Sequence, residues 1–239
     1  MSLRDVVEIA DFKCENLFES LDRIKAFCVE HQIRCYPPIS EGELDESRYF
    51  SLDKDEDTFE EAIDRAIEEG ESHTVEFKAS SFLDTARLKG GYFDNPEDLI
   101  SKSVEHEVSK TLSAFLNADG GILLIGVNDD HSIFGIEEEY GFIKGNKKDR
   151  DGWELRLSSK LEKCILEYKE VIGHVQQRFV KREDKHIYAM MVSPRKDRIV
   201  ACFDEESRTE IAYQRAGNRS NRLTPHAIEG LVRQRCANS

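Results

Sequence analysis

The chain has 239 residues, of which 39% are hydrophobic and 34% charged, with a formal net charge of −14. No apolar run reaches the roughly 18 to 20 residues that a membrane span needs, and the N-terminal stretch has acidic residues where a secretory signal would be apolar. The six cysteines form no CxxC pair, so no zinc knuckle or thioredoxin-like motif is indicated. These features predict a cytoplasmic protein with free thiols and no membrane partner.

The negative charge is unevenly distributed. Residues 1–71 hold 8 Lys and Arg against 21 Asp and Glu, whereas residues 171–239 hold 13 against 8. An acidic chain is, by its net charge alone, a poor partner for nucleic acid. The mildly basic C-terminal part keeps that class of ligand open, and the acidic part is either a solvated helical face or an arm that shields a basic surface.

The N-terminal elements predict a helical extension. Apolar residues at helical spacing predict a helix over 15–32, and two prolines at 37 and 38 begin a linker. A second helix is predicted from Thr58, as its N-cap, to Gly70, which ends it. We place the domain boundary so that residues 1–55 form the acidic extension and residues 56–239 form the core.

The core elements follow in the order β-α-β-β-α-β-β-β-β-α. Residues 74–79 alternate as a strand, and a long loop follows. Asn95 with Pro96 predicts the start of a strong helix, which the segment from Asn117 to Gly121 ends. "ILLIGV" is typical of a buried strand, and "IFGI" of a short one. Two hairpins and a last helix capped by Thr224 complete the order. The fold class predicted is α+β, with a mixed sheet and flanking helices.

Three acidic positions could carry chemistry. Glu71 and Glu76 flank the first strand, and Asp129, or alternatively Asp130, follows the most hydrophobic strand. Converging carboxylates repel one another, and Mg²⁺ or Mn²⁺ removes that penalty because these ions prefer oxygen ligands. Lys78 could hold a phosphate or orient a water. The alternative is that Glu76 and Lys78 form a surface pair and the two aspartates are turn residues.

Arginines are concentrated just before the last helix. A set of four polar residues surrounds Gly217 there and, with the helix N-terminus, would suit phosphate; it consists of Arg215, Asn218, Arg219 and Arg222. Lys181 and Arg182 at a hairpin end could position RNA phosphates. Phe82 and Tyr92 could stack on a base, but packing is the favoured interpretation for both. A polar turn with solvated charges is the alternative for the basic residues.

Longer stretches of the chain resemble a known family. "ESHTVEFKAS", "TLSAFLNADGGILLIGVNDDHSIFGI" and "YQRAGNRSNRLTPHAI" are similar to the E-x4-E-F-K, S-A-F-x-N-x-x-G-G and R-x-G-(N/S)-S segments of the AlbA-like domain of the Schlafen family. The resemblance covers residues 68–136 strongly and 208–236 moderately. No P-loop spacing is present, so ATP binding is not expected.

The resemblance implies a function. Nuclease members of the family look like metal-dependent endoribonucleases that act on structured RNA such as tRNA, through two glutamates and an aspartate. Glu71, Glu76 and Asp129 occupy those places, so the resemblance implies a site for Mg²⁺ or Mn²⁺. Vertebrate members pair two similar lobes in one chain, and the two lobes together form a cradle. This chain has one lobe, so a homodimer could rebuild such a cradle. The Cys/His cluster of the vertebrate zinc site is missing, and we expect no structural zinc.

Membership does not guarantee catalysis, so two further functions stay open. One is a non-catalytic module that binds RNA or single-stranded nucleic acid, or regulates a partner. The other is an effector held in check by its acidic extension. The first expectation remains an endonuclease that prefers RNA.

Overall fold

The computed structural model describes residues 52–91 and 93–237, with side chains for residues 59–91 and 93–235. The predicted helix over 15–32, its linker and Tyr92 lie outside the described residues, and the proposed domain boundary stays a prediction. From Thr58 onward the described residues form one compact unit. Within them, the helices are α1 (Leu52–Glu69), α2 (Thr85–Gly90), α3 (Lys102–Leu116), α4 (Glu137–Tyr140), α5 (Arg150–Cys164), α6 (Tyr168–Val171) and α7 (Pro225–Ala237).

The strands form two sheets. They are β1 (Val75–Lys78), β2 (Gly121–Ile125), β3 (Val175–Arg182), β4 (Lys185–Val192), β5 (Ala201–Asp204), β6 (Thr209–Ala216) and β7 (Arg219–Arg222). The first sheet has the order β1-β2-β4-β3, with β1 and β2 parallel and the other neighbours antiparallel. The second has the order β5-β6-β7 and is antiparallel. The predicted α+β class with a mixed sheet is therefore confirmed.

The first sheet separates two hydrophobic clusters because alternate side chains of a strand point to opposite faces. On one face, α1 contributes Phe59 and Ile63 to a cluster with Val75, Phe77 and residues of the other strands. On the other face a larger core joins α3 and α5 to the sheet and to the second sheet. Both faces of the first sheet are covered, which explains why β2 reads as a continuous apolar run.

Two adjacent glycines set the entry into β2. Gly120 has a φ of 82°, in the left-handed region that favours glycine, and a Cβ there would lie 2.3 Å from the carbonyl oxygen of Val192. A Cβ on Gly121 would lie 2.5 Å from the Phe115 ring and 2.7 Å from the carbonyl oxygen of Thr74. The chain that leaves α3 can therefore pass close to Val192 of β4 and to Thr74 only because neither position carries a side chain.

Four local predictions were wrong. α1 begins at Leu52, so Thr58 lies within the helix and does not cap it. Asn95 and Pro96 begin a 3₁₀ turn, and α3 starts separately after its cap, Ser101. The long loop contains the short helix α2, capped by Asp84.

The fourth concerns the strands. "IFGI" forms only the isolated bridge between Val127 and Ile133, and the polar residues of β7, absent from the prediction, pair along β6. The sequence of β7, RSNR, shows no apolar alternation, and three of its four residues are exposed. Its pairing is set by the turn at Gly217, which has a φ of 58°. The last helix does follow its predicted cap, since Thr224 Oγ1 accepts the N–H of Ala227 at 3.2 Å.

None of the helices in the described part of the chain is both long and apolar enough to cross a bilayer. Cys164 and Cys202 are buried free thiols, as the sequence predicts. Burial raises the pKa of the Cys202 thiol to about 12.

A buried carboxylate fixes the loop that leaves β1. Glu139 is fully buried, and its Oε1 accepts the N–H of Ser81 at 2.7 Å. Its Oε2 accepts the Ser81 hydroxyl at 2.6 Å and the Trp153 indole N–H at 2.7 Å. Burial raises the pKa of this carboxyl, while the donated hydrogen bonds act in the opposite direction. The network ties the segment after Lys78 to α4 and α5.

We predict that Glu139→Gln lowers the free energy of unfolding by about 1–3 kcal/mol, because the amide presents a donor to groups that are themselves donors. Urea unfolding followed by the fluorescence of Trp153, the one tryptophan of the sequence, measures the change. Glu138→Gln at the neighbouring exposed position is the control and should stay within about 0.5 kcal/mol of the parent protein. Equal loss in both variants would contradict a specific role for Glu139.

Candidate functional site

Glu76 and Lys78 lie on the face of β1 that points away from α1. They stand opposite Leu123 and Ile125 of β2, which belong to the larger core. The Glu76 side chain is only 13% exposed, and its Oε1 lies 2.5 Å from Lys78 Nζ. The alternation that the sequence predicts for this strand therefore places a carboxylate at the margin of the core, where it needs a counter-charge.

Arg215 of β6 supplies a second counter-charge. Its Nη2 lies 2.7 Å from Glu76 Oε2 and also donates to the carbonyl oxygens of Ser72 at 2.8 Å and Val75 at 3.3 Å. The Arg215 side chain is 3% exposed, and its guanidinium lies 5.3 Å from the centre of the Phe115 ring. One arginine thus joins the second sheet to the carboxylate and the backbone of β1.

Both oxygens of Glu76 are consequently engaged, one by Lys78 and one by Arg215. Removing one partner of a buried ion pair typically costs about 3–5 kcal/mol, because the other charge is left without compensation. Glu76 is therefore a structural counter-ion in this arrangement, whatever further role it has.

Glu71 lies at the free edge of β1. It is exposed, and its Oε1 accepts the N–H of Phe77 at 2.9 Å. Phe77 N–H points away from β2, because Thr74 and Lys78 provide the carbonyl oxygens that bond to β2 and the residues after it. The carboxylate thus takes the place of a neighbouring strand at this edge.

The turn after β2 carries the two aspartates. Asp129 is exposed, and Asp130 Oδ1 accepts the N–H of Ser132 at 3.1 Å and its hydroxyl at 2.5 Å. The hydrogen bonds from Ser132 lower the pKa of Asp130. Asp130 therefore closes the turn, and both aspartates are exposed.

His131, in the same turn, is not among the site residues predicted from the sequence. Its φ is 69°, its ring packs edge-on against Phe77 with centroids 5.6 Å apart, and a Cβ on Gly70 would lie 2.8 Å from its Nε2. The turn that follows β2 is thereby held next to the residue preceding Glu71. The only sequence signal for this contact is the glycine at 70, whose missing side chain leaves room for the ring.

The surroundings of these acids determine whether they could bind a divalent metal. Carboxylates are the ligand type that Mg²⁺ and Mn²⁺ prefer. Within residues 52–91 and 93–237, however, no three His, Cys, Asp or Glu side chains are grouped so that they could hold a metal ion. With both Glu76 oxygens bound to cationic side chains, the arrangement does not fit a resident divalent ion.

The four polar residues predicted to bind phosphate separate into two classes. Asn218, Arg219 and Arg222 are exposed at the β6–β7 hairpin. Arg215 is buried and bound to Glu76, so it differs from the exposed arginine that the sequence suggested. Arg215 binds Glu76 of β1, and its strand β6 pairs with β7, which carries Arg219 and Arg222. The E-x4-E-F-K segment and the R-x-G-(N/S)-S segment are therefore joined by this contact.

The other predicted contacts lie elsewhere. Arg182 is bound to Glu60 and Asp64 of α1, at 2.8 Å and 2.6 Å. The Lys181 side chain is 59% exposed, and its Nζ lies 3.5 Å from Oδ1 of Asp184 in the β3–β4 turn. Phe82 is 1% exposed and packs under Arg156, so it is a core residue rather than a base-stacking one.

The chain is similar to known proteins over the region that contains this site. Residues 71–224 match the family model described as Schlafen, AlbA_2, which covers both the E-x4-E-F-K segment and the β6–β7 hairpin. Among solved structures, the chain is similar to the DIP2311 protein from Corynebacterium diphtheriae, with 12% sequence identity and a TM-score of 0.40. That match covers 71% of this chain and 27% of the other chain.

The family match spans more than half of the sequence and contains every residue that joins β1 to the hairpin. The chain therefore belongs to the Schlafen AlbA_2 domain family, whose members are associated with nucleic acid.

Proposed function

We propose that the protein binds nucleic acid, with RNA preferred, along the surface made by the exposed edge of β1 and the β6–β7 hairpin. The observation that carries the proposal is the contact of Arg215 with Glu76 and with the Ser72 carbonyl oxygen. Arg219 and Arg222 are exposed on β7, the strand that pairs with the Arg215 strand β6. Exposed arginines fixed on a rigid hairpin suit phosphate oxygens, which they can contact with two N–H groups each.

Lys181 and Arg182 contribute less to the proposed RNA binding than the sequence suggested. Arg182 is held by two carboxylates of α1, so a phosphate would have to compete with them. A homodimer that pairs two lobes remains a prediction.

We expect Arg219→Gln and Arg222→Gln each to weaken binding of a labelled single-stranded RNA and to reduce the slope of log affinity against log salt by about 0.7. That is the slope contributed by one phosphate contact on a single strand. Fluorescence anisotropy at several salt concentrations measures both quantities without added metal.

The matched control is Arg208→Gln, an exposed arginine at the opposite end of β6. It removes the same charge away from the proposed surface and should leave the salt slope unchanged. An equal loss in all three variants would show that only net charge matters and would refute the proposed surface.

The second candidate is a metal-dependent endoribonuclease that uses Glu71, Glu76 and Asp129, assisted by Lys78, with Mg²⁺ or Mn²⁺ and tRNA-like substrates. One observation favours it. β1 and β2 are parallel neighbours, and His131 holds the turn after β2 against the segment that begins β1. Glu71, Glu76 and Asp129 therefore belong to adjoining segments. This candidate requires bound RNA to draw Lys78 or Arg215 away from Glu76.

The sharpest test of this candidate is Asp129→Asn, because Asp129 is exposed and its loss should leave the fold intact, unlike the loss of Glu76. Cleavage of labelled tRNA and of single-stranded DNA is followed with Mn²⁺ and then with a chelator. If the chain is a nuclease, chelation abolishes cleavage and Asp129→Asn slows it by more than about 100-fold. Even residues outside the metal's direct ligands cost about 10- to 100-fold.

Two further variants complete the test. Asp184→Asn, at a fully exposed position in the β3–β4 turn, is the control and should cleave like the parent protein. Asp130→Asn distinguishes the two aspartates, and unchanged cleavage there confirms Asp129 as the third carboxylate. Absence of cleavage under every divalent ion, with RNA binding retained, would eliminate the nuclease and leave the binding module. The effector held in check by residues 1–55 stays a prediction.

A further inference from the structure

The two edges of the first sheet differ in how their backbone groups are bonded. At the β1 edge, Glu71 accepts the outward N–H of Phe77, and Lys78 Nζ donates to the Phe77 carbonyl oxygen at 3.1 Å. The carbonyl oxygen of Val75, on the same side, accepts the N–H of Ser72 at 3.0 Å. Side chains and the preceding turn therefore occupy this edge, and another strand could pair there only by displacing them.

The opposite edge of the sheet is β3, whose eight residues pair with β4 on one side. The N–H of Ser193 donates to the carbonyl oxygen of His174 at 2.8 Å, which fixes the phase of this antiparallel ladder. Every second residue from His174 therefore bonds to β4. The residues between them direct their N–H and C=O groups outward, and they are Val175, Gln177, Phe179 and Lys181.

These outward groups are largely unused in the part of the chain that the structure describes. The Lys181 carbonyl oxygen accepts Arg182 Nη1 at 2.8 Å. The outward backbone groups of Val175, Gln177 and Phe179 have no partner among the described residues. β3 contains no proline, and its register with β4 runs without a bulge. An uninterrupted edge of this length is a template for pairing with another strand.

The two arginines of β3 are directed onto α1 rather than along this edge. Arg182 is bound to Glu60 and Asp64 of α1. The Arg178 guanidinium lies 4.9 Å from the centre of the Phe59 ring, also on α1. Charged side chains oppose strand addition when they project across an edge. Because these two contact groups on the face of the sheet, the row of outward backbone groups is left for a further strand.

We propose that a second copy of this chain pairs antiparallel with β3, with Phe179 opposite Phe179 of the other copy. Like charges directly opposite each other destabilise a sheet, so pairing centred on Arg178 is disfavoured. Moving the centre to Phe179 removes that repulsion and places an aromatic pair, a favourable cross-strand pair, on the two-fold axis. The remaining pairs in this register are Gln177 with Lys181, Arg178 with Val180, and Gln176 with Arg182.

This register is self-complementary, which a two-fold interface requires. No like charges lie opposite each other from residue 176 to residue 182. Farther along, the acidic turn residues Glu183 and Asp184 of one copy lie opposite Val175 and His174 of the other. The β1 edge is at the other side of the sheet, so the proposed RNA surface stays open in the dimer.

The test measures self-association of the full-length protein by sedimentation equilibrium, and we expect the parent protein to form a dimer. Gln177→Glu should tighten the dimer and Gln177→Lys should weaken it, each by about 2- to 30-fold, because each places two charges opposite Lys181 in the symmetric pair. General repulsion in a chain of net charge −14 predicts the reverse order. A parent protein that is monomeric at every concentration would refute the proposal.

The matched controls are Gln234→Glu and Gln234→Lys, at an exposed position of α7. They make the same charge changes away from β3 and should leave the dissociation constant unchanged. Shifts equal to those at Gln177 would show that only net charge matters and would overturn the interface. Weakening by both Gln177→Glu and Gln177→Lys would overturn the register, because it would place Gln177 opposite itself.

Gln177→Pro tests the backbone directly. It removes an outward N–H without removing a bond to β4, and proline is tolerated on edge strands in this orientation. We expect a monomer with the circular dichroism spectrum of the parent protein, and a folded dimer would refute the edge pairing. Gln177→Lys, which changes no backbone group, decides the question if Gln177→Pro does not fold. Loss of the dimer with RNA binding intact leaves the proposed RNA surface standing.

Discussion

The ion pair between Glu76 and Arg215 is the interaction on which the functional region depends. It joins the first strand of one sheet to the middle strand of the other, across 139 positions of sequence, and both side chains are largely withdrawn from water. Since a buried charge is tolerated only with a counter-charge, each residue requires the other. Because Arg215 also binds two carbonyl oxygens of the segment 72–75, the pair fixes the backbone as well as the charges.

This constraint connects Glu76 and the backbone before β1 with the β6–β7 hairpin. Glu76 is compensated by Lys78 on its own strand and by Arg215 from the second sheet, so the acidic character of the motif is partly neutralised. Arg219 and Arg222 remain exposed on the hairpin that Arg215 anchors. The proposed binding of nucleic acid therefore rests on the exposed arginines of the hairpin, whereas the Glu76 carboxylate already has two cationic partners.

Regular elements of the core were predictable where a local signal was strong. Thr224 before Pro225 placed the start of α7, and the paired glycines 120 and 121 placed the turn between α3 and β2. β7 was not predictable, because its polar side chains show no apolar alternation and its pairing depends on the neighbouring strand. The strand predicted at "IFGI" was wrong for the opposite reason. Its apolar pattern is present, but the segment pairs with another segment through one bridge only.

The sequence by itself determined the family, the order of the elements and the five-residue spacing of Glu71 and Glu76, because these are properties of adjacent residues. Only the tertiary structure decided what the side chains do. It turned Glu71 to the free edge of β1, gave Glu76 to Arg215, and brought His131 against Phe77. The physical reason is that burial makes an ion pair or a hydrogen bond obligatory, and the partner is whichever group the packing of distant segments brings close.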